Sequence, residues 1–427
     1  MITEIIKDSF LDEEEHIYSL DSGLKIIIIP KKGFAKTTAM FAVNFGSVVN
    51  TFKGEGEKNY TRIPDGVAHF LEHKLFESEQ GDAFTLYAKT GANANAYTSF
   101  NVTNYYFSST NRLKENLEIL INLIGTPYFT DENVNKEQGI IGQEINMYLD
   151  SPGWRVYFNM LQAMYEKNPV RYDIAGSVES ISKITPKLLY DCYNKFYTPE
   201  NMVLTVVGDV CPEEIFKFAS EKIKRLGTEK NIAVKTEKEP ESILSHKAEQ
   251  KLSVSMPLFA IGFKDKPAGK GKDLVRKEII GRMALDIVFG KSGDFFDECY
   301  NMGLINDSYG IDFECEPNFC HSMIQGESET PDEVLKRVVL YAKRRMDEGI
   351  TYEELSTQKN IEKSMFIKDF NRVENVARNA MEAYFGGYGL FDVLEVIESI
   401  TKEDIDRQLK KFTEENSVLS VIRPEQN

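Results

Sequence analysis

Part of this chain recurs 212 positions further on, and that recurrence restricts the fold to two tandem, related halves. Gly81-Asp82-Ala83-Phe84 returns as Gly293-Asp294-Phe295-Phe296, and Gly91 as Gly303. Tyr97, inside NAYTSF, returns as Tyr309, inside NDSYGIDF. An amphipathic helix follows each copy, over Asn111 to Ile124 and over Pro331 to Met346. The loop before the second helix is about ten residues longer. A length of 427 residues suits two domains of about 200 each.

The junction falls in TEKNIAVKTEKEPESILSHKAEQ, which is charged and poor in aromatics. The expected layout is a first domain over 1–227, a solvated linker over 228–250 and a second domain over 251–427. Period-2 runs at Leu24–Pro30, Ala39–Val43, Tyr105–Ser108, Met202–Val207 and Ser253–Phe263 read as strands. Helices interrupt them irregularly rather than in strict βαβ alternation. That pattern predicts an α+β fold whose two domains each hold a largely antiparallel sheet with helices on one face.

Composition removes several classes of function. The charge of −16 and sequence pI near 5.0 argue against a non-specific nucleic-acid binder, which would be basic. No apolar run approaches the 18 or so residues of a membrane span; Ile26–Ile29 is only strand-sized. The opening MITEIIKDSFLDEEEH turns acidic before an export signal could form, and five widely spaced cysteines include no CxxC. The expectation is a cytoplasmic protein with reduced thiols.

The chemistry concentrates at His69-Phe-Leu-Glu-His73. The segment from Asp65 to Phe76 reads as a helix, started by Asp65 after Pro64. On it His69, Glu72 and His73 stand at i, i+3 and i+4 and share one face. Apolar residues cover most of the rest, so the helix is expected to be buried, where unpartnered imidazoles cost several kcal/mol. A divalent metal satisfies both rings, and Zn2+ is the usual choice for nitrogen ligands. Glu72 then lies beside the metal, where a base can take the proton of an attacking water. The competing reading is a pair of core histidines bonded to carbonyls.

A third ligand is expected from the helix Glu137–Asp150. There Glu137, Ile140, Ile141, Glu144, Ile145 and Tyr148 share a stripe, which places two carboxylates on the apolar face. Periodicity does not say which of Glu137 and Glu144 is the ligand, and a structural salt bridge is the competing explanation.

An inverted HxxEH motif, followed about 70 residues later by a Glu-bearing helix, resembles the pitrilysin/insulinase family of zinc peptidases. Gly91-Ala-Asn-Ala-Asn-Ala-Tyr-Thr-Ser99 is similar to the family's strand after the motif. Phe196 to Asp209 is similar to the segment closing its first domain, and Asn168-Pro169 through Ala175-Gly176-Ser177 also matches. The resemblance covers 15 to 210 well and 250 to 427 in pattern. It implies one Zn2+ per chain on His69, His73 and Glu144, with Glu72 as general base and Glu137 supporting the site. It also implies that Asn95, Ala96 and Thr98 lie on a strand that receives extended peptide as an added strand. The implied activity is a zinc metalloendopeptidase acting on unfolded peptides or leader and targeting segments, with water activated by Glu72. A non-catalytic structural subunit of the same family is the alternative. A hydrolase of non-peptide substrates is disfavoured by the strand.

Two departures bear on assembly. At the 212 offset His69, Glu72 and His73 correspond to Gly281, Ala284 and Leu285, so the second copy has no metal ligands. The family also carries an Arg and a Tyr seven residues apart that hold the developing oxyanion. Here Asp297 or a neighbour and Ile305 stand near those positions, and no Arg occurs between Arg282 and Arg337. The expectation is a heterodimer in which a related chain supplies the pair, as in the mitochondrial processing peptidase and bacterial two-subunit enzymes, or otherwise a homodimer. Tyr300 and Tyr309 are the candidate substitutes within the chain. Trp154 reads as a packing anchor for the turn after the Glu helix, and His16, His246 and His321 as ordinary surface or edge residues.

Overall fold

A computed structural model describes residues 2–79, 81–223, 226–227 and 231–425. Two compact units emerge from the contacts. One comprises the chain up to Ile145, Asp173–Thr236 and Ile367–Phe385; the other comprises Asn146–Tyr172, Glu237–Phe366 and the chain from Gly386 onward.

The first unit is built on a seven-stranded sheet. Its strands are β1 (Ile2–Asp8), β2 (Glu13–Ser19), β3 (Lys25–Pro30), β4 (Thr37–Val43), β5 (Asn93–Thr98), β6 (Thr103–Ser109) and β7 (Met202–Gly208), in the order β1-β2-β3-β7-β4-β6-β5. Only β3 and β7 pair in parallel. Their near-continuous apolar runs, Ile26–Ile29 and Met202–Val207, suit central strands buried on both faces, and every residue of β7 is buried. Helices α1 (Val67–Leu75), α3 (Leu113–Gly125) and α4 (Asp131–Leu149) occupy segments whose periodicity is helical, and α2 (Ala83–Thr90) is a further short helix. Leu117, Leu120, Ile121 and Ile124 of α3 recur at helical spacing and are fully or almost fully buried. The segment Ile367–Phe385 is tied in by Glu374, which accepts from Ser108 Oγ at 3.0 Å and pairs with Lys36 at 2.8 Å.

The second unit holds β8 (Lys247–Leu252), β9 (Leu258–Asp265), β10 (Gly310–Cys315), β11 (Cys320–Glu327) and β12 (Ser417–Pro424), in the order β8-β12-β9-β11-β10. This repeats the β3-β7-β4-β6-β5 portion of the first sheet, including the one parallel pair. Shared topology therefore carries the repeat that was visible in fragments of sequence. Gly91 and Gly303 both end a short helix at positive φ, 75° and 69°. Beyond them the copies diverge. The strand hairpins close at Thr98–Thr103 and Cys315–Cys320, so Tyr97 corresponds in register to Glu314 and not to Tyr309.

The units do not follow the chain's midpoint. Helix α5 (Pro152–Met164), before the expected boundary at 227, belongs to the second unit and packs on β9 and β12. Its Phe158, Met160, Leu161 and Met164 are buried there. Helices α6 (Lys272–Phe289) and α7 (Pro331–Glu348) also pack on this sheet, with Val334, Val338 and Ala342 of α7 in the core.

Several local expectations shift. Part of the 228–250 segment is ordered into the second unit: β8 begins at Lys247, and Glu239 accepts backbone N–H bonds from Glu166, Lys167 and Asn168 at 2.9, 2.7 and 2.7 Å. Thr228, Glu229 and Lys230 lie outside the described residues. The strand expected from Ser253 starts at Leu258, and the helix expected from Glu137 starts at Asp131. His16 and His321 are buried, at 6% and 1% exposure, and are not surface residues. Each finds a carboxylate: His16 meets Glu14, two residues earlier on the same strand, at 2.9 Å, and His321 meets its cross-strand partner Glu314 at 3.6 Å, a pairing that only strand register reveals. Trp154 stacks on Tyr148 across the turn, ring centroids 4.6 Å apart.

Candidate metal centre

Helix α1 starts at Val67, two residues later than Asp65 suggests. Gly66 precedes it at φ 95°, and a Cβ there would come within 2.4 Å of the Ala175 carbonyl oxygen, so only glycine fits this entry. Asp65 instead pairs with Arg62 at 3.0 Å and accepts from Asn50. Val67, Ala68, Phe70, Leu71 and Leu75 seat the helix in the core of the first unit. The remaining face carries His69, Glu72 and His73, as the motif spacing requires.

Helix α4 brings Glu144 against that face. His69 Nε2 lies 3.7 Å from Glu144 Oε1, and His73 Nε2 lies 3.5 Å from Glu144 Oε2. One ligand atom from each of the three residues lies within 4.8 Å of the others, and no other such group of three occurs among the described residues. A tetrahedral zinc with bonds near 2.0–2.1 Å holds its donors about 3.4 Å apart. The donor set and spacing therefore fit a zinc ion. Periodicity left Glu137 and Glu144 equivalent; the fold separates them. Glu137 Oε1 accepts from His73 Nδ1 at 3.0 Å, which leaves Nε2 facing Glu144.

The electrostatics suit ligation. Burial, then the neighbouring His73, lowers the His69 pKa to about 4, so this ring is neutral near pH 7. Burial also works against a charged His73, but the Glu137 bond and the charges of Glu72, Glu137 and Glu144 outweigh it and raise its pKa. Glu137 is held below the usual carboxylate range: burial is overcome by the His73 bond and charge and by Lys74. Burial raises the pKa of Glu72 despite a bond from Thr98 Oγ1 to its Oε2 at 2.6 Å.

Glu72, His73, Glu137, Asn95 and Ala96 line one cavity of about 470 Å³, whose walls include Phe76, Phe84, Lys136 and Ile140. Strand β5, which carries Asn95 and Ala96, is the last strand of its sheet. Thr98, at the end of the same strand, is engaged by Glu72. A larger hollow of about 640 Å³ lies beyond Phe76 and contains none of the metal-site side chains.

Two features escaped the sequence. One is the Thr98–Glu72 bond, which depends on where β5 crosses α1. The other is Lys74, a lysine with no exposed surface that pairs with Glu77 and with Glu137 Oε2 at 3.5 Å. Glu77, three residues along the same turn, was the available signal.

In the second unit Gly281, at the offset position of His69, lies against the Phe313 ring; a Cβ there would be 2.2 Å from the ring edge. Tyr309 is buried and donates its hydroxyl to the Phe289 carbonyl at 2.8 Å, whereas Tyr300 is 43% exposed.

Comparison with known proteins gives the family. The family described as "Insulinase (Peptidase family M16)" matches residues 55–178, and "Peptidase M16 inactive domain" matches 183–362. The zinc protease YmfH of Bacillus subtilis, itself described as uncharacterized, is 41% identical, with 94% of each chain covered. The zinc protease PqqE of Helicobacter pylori is 26% identical, covering 86% of this chain and 83% of that one. The crystal structure of an M16-like peptidase from Alicyclobacillus acidocaldarius superposes with a TM-score of 0.93 at 31% identity, covering 97% of this chain and 99% of that one. The chain belongs to the M16, or insulinase, family, whose named relatives are zinc proteases.

Proposed function

We propose that this chain is a zinc metalloendopeptidase that hydrolyses peptide bonds in extended, unfolded peptides, leader or targeting segments among them. The observation that carries the reading is the convergence of His69, His73 and Glu144 beside Glu72, in a unit whose outermost strand borders the same cavity. Bound to those three residues, zinc would supply Lewis acidity that polarises a carbonyl and makes water more acidic.

The chain's own residues do the rest. Glu72 accepts the proton of the attacking water and returns it to the leaving amine, and Thr98 holds its Oε2 in place. Glu137 fixes the tautomer and orientation of His73. The free edge of β5 offers main-chain donors and acceptors to a peptide strand, with Asn95, Ala96 and Thr98 setting its position. Side-chain preference then arises only from the flanking cavity.

The oxyanion partner is the incomplete part. Tyr309 has its hydroxyl committed, Ile305 is 4% exposed, and the stretch from Asp297 to Asn306 contains no Arg. Such donors are commonly worth a few kcal/mol of barrier. This supports a related second chain that supplies an Arg/Tyr pair in a heterodimer, with a homodimer as the fallback. Five unpaired cysteines suit a reducing compartment, so we place the enzyme in the cytoplasm. No helix among the described residues is long and apolar enough to cross a membrane.

The test is the purified chain with one equivalent of zinc, incubated with a pool of unfolded peptides against Glu72→Gln. Chelator-sensitive cleavage absent from the variant supports the peptidase and makes a second chain dispensable. Stoichiometric zinc without cleavage supports a half-enzyme that needs its partner. A chain that binds no zinc is the non-catalytic subunit instead.

A further inference from the structure

We infer that Lys74 is a positioning residue for the metal centre, acting through Glu137 on His73; the inference rests on the zinc reading above. A lysine with no exposed surface carries a large desolvation cost unless its ammonium is paired. This one lies next in sequence to His73, yet its Nζ turns to two carboxylates, Glu77 and Glu137. Glu77 is 35% exposed at its side chain, so one carboxylate facing solvent would have sufficed to stabilise the charge. Glu137 is the more buried of the two, at 10%, and it divides its oxygens. Oε2 faces Lys74 at 3.5 Å, and Oε1 accepts from His73 Nδ1 at 3.0 Å.

A partner on each oxygen restricts rotation of a carboxylate about its Cγ–Cδ bond. With Lys74 on one oxygen, the other is held in line with the imidazole, and the ring presents Nε2 toward Glu144 at 3.5 Å. Without the ammonium, Glu137 is a buried anion with a single neutral partner. It can then rotate toward the cavity it lines and release the His73 ring, and that loss of orientation costs metal affinity. Lys74 thus stands one step further from the metal than Glu137. Partners of metal-bound histidines are worth 10–100-fold in affinity, so a residue one step behind is expected to be worth about tenfold.

The experiment measures zinc affinity by competition with a chromophoric chelator, after circular dichroism has verified the fold of each apo-protein. The proteins are wild type, Lys74→Met, Lys74→Gln, Glu137→Gln and the Lys74→Met/Glu137→Gln double variant. Lys74→Met should bind zinc about tenfold more weakly and Lys74→Gln, which keeps a donor, about threefold. The double variant should match Glu137→Gln alone, because Lys74 then has nothing to hold. A purely structural lysine would lower apo stability in every background and leave the zinc affinity of the folded protein unchanged. Should Lys74→Met not fold, Lys74→Gln and the double variant carry the comparison. Unchanged affinity in the Lys74 variants, or losses that simply add to that of Glu137→Gln, overturn the inference. A wild type that binds no zinc overturns the metal reading itself, which is a separate result.

Discussion

Replacing Thr98 with Val tests how Glu72, the proposed base, is held. The exchange preserves shape and removes the hydroxyl that donates to Glu72 Oε2 at 2.6 Å. A hydrogen bond to a charged group is worth about 1.5–3 kcal/mol, and here it acts on a carboxylate that is only 9% exposed. Its loss penalises the ionised form of Glu72 alone. Burial has already raised that group's pKa, and the Thr98 bond is the largest influence opposing the rise. Since 1.4 kcal/mol is a factor of ten, the ionised fraction on the acid limb should fall about tenfold or more. Profiles of kcat/KM against pH with a quenched fluorescent peptide should show the acid limb displaced upward in Thr98→Val. At pH above that limb the rates should converge, and Thr98→Ser should follow wild type. A 13C titration of Glu72 in the zinc-free protein reads the same displacement without turnover. Superimposable acid limbs for Thr98→Val and wild type, or an equal displacement in Thr98→Ser, would refute the reasoning.

Three further outcomes are expected. Glu144→Gln removes a carboxylate oxygen from the proposed ligand set and should weaken zinc by more than about 100-fold, beyond the range for supporting partners, while the apo fold stays intact; chelator competition and circular dichroism check both. Glu314 in the second unit has its pKa raised from 4.5 to about 7 by burial, reinforced by Asp312 and opposed by Tyr157. Its proton is bound more tightly in the folded state, so this stabilisation is complete below pH 4.5 and lost as pH rises through 7. The shift alone corresponds to roughly 3 kcal/mol, and 29% side-chain exposure reduces that to about 2. Urea unfolding at pH 5 and pH 8 should therefore show Glu314→Gln gaining about 2 kcal/mol on wild type between the two; a pH-independent difference would contradict it. Leu161→Ala, at a fully buried position of α5, should cost about 2–5 kcal/mol in denaturant unfolding of the second unit. A cost below about 1 kcal/mol would mean that α5 is not part of that core.

The metal helix was legible because its information is local. Spacings of three and four residues put His69, Glu72 and His73 on one face whatever surrounds them. The same rule placed Glu137 and Glu144 on one stripe but left their roles open, since both satisfy the same period. Only the approach of α4 to α1 gives Glu144 the two Nε2 atoms and Glu137 the Nδ1. Lys74 was passed over for a similar reason: a lysine after an apolar stretch looks solvated until the two carboxylates that enclose it are known.

Period-2 runs and the 212-residue recurrence determined that two related α+β halves exist and that only the first carries the HxxEH motif, because alternation, repetition and motif spacing are properties of the sequence itself. The extent of each unit was decided by tertiary structure alone. Helix α5 lies in the first half of the sequence and packs in the second unit, while Ile367–Phe385 lies in the second half and packs in the first. Both segments have apolar faces that any sheet could bury. Hydrophobic burial is non-directional, so the pattern says that a face must be covered and leaves open which sheet will cover it.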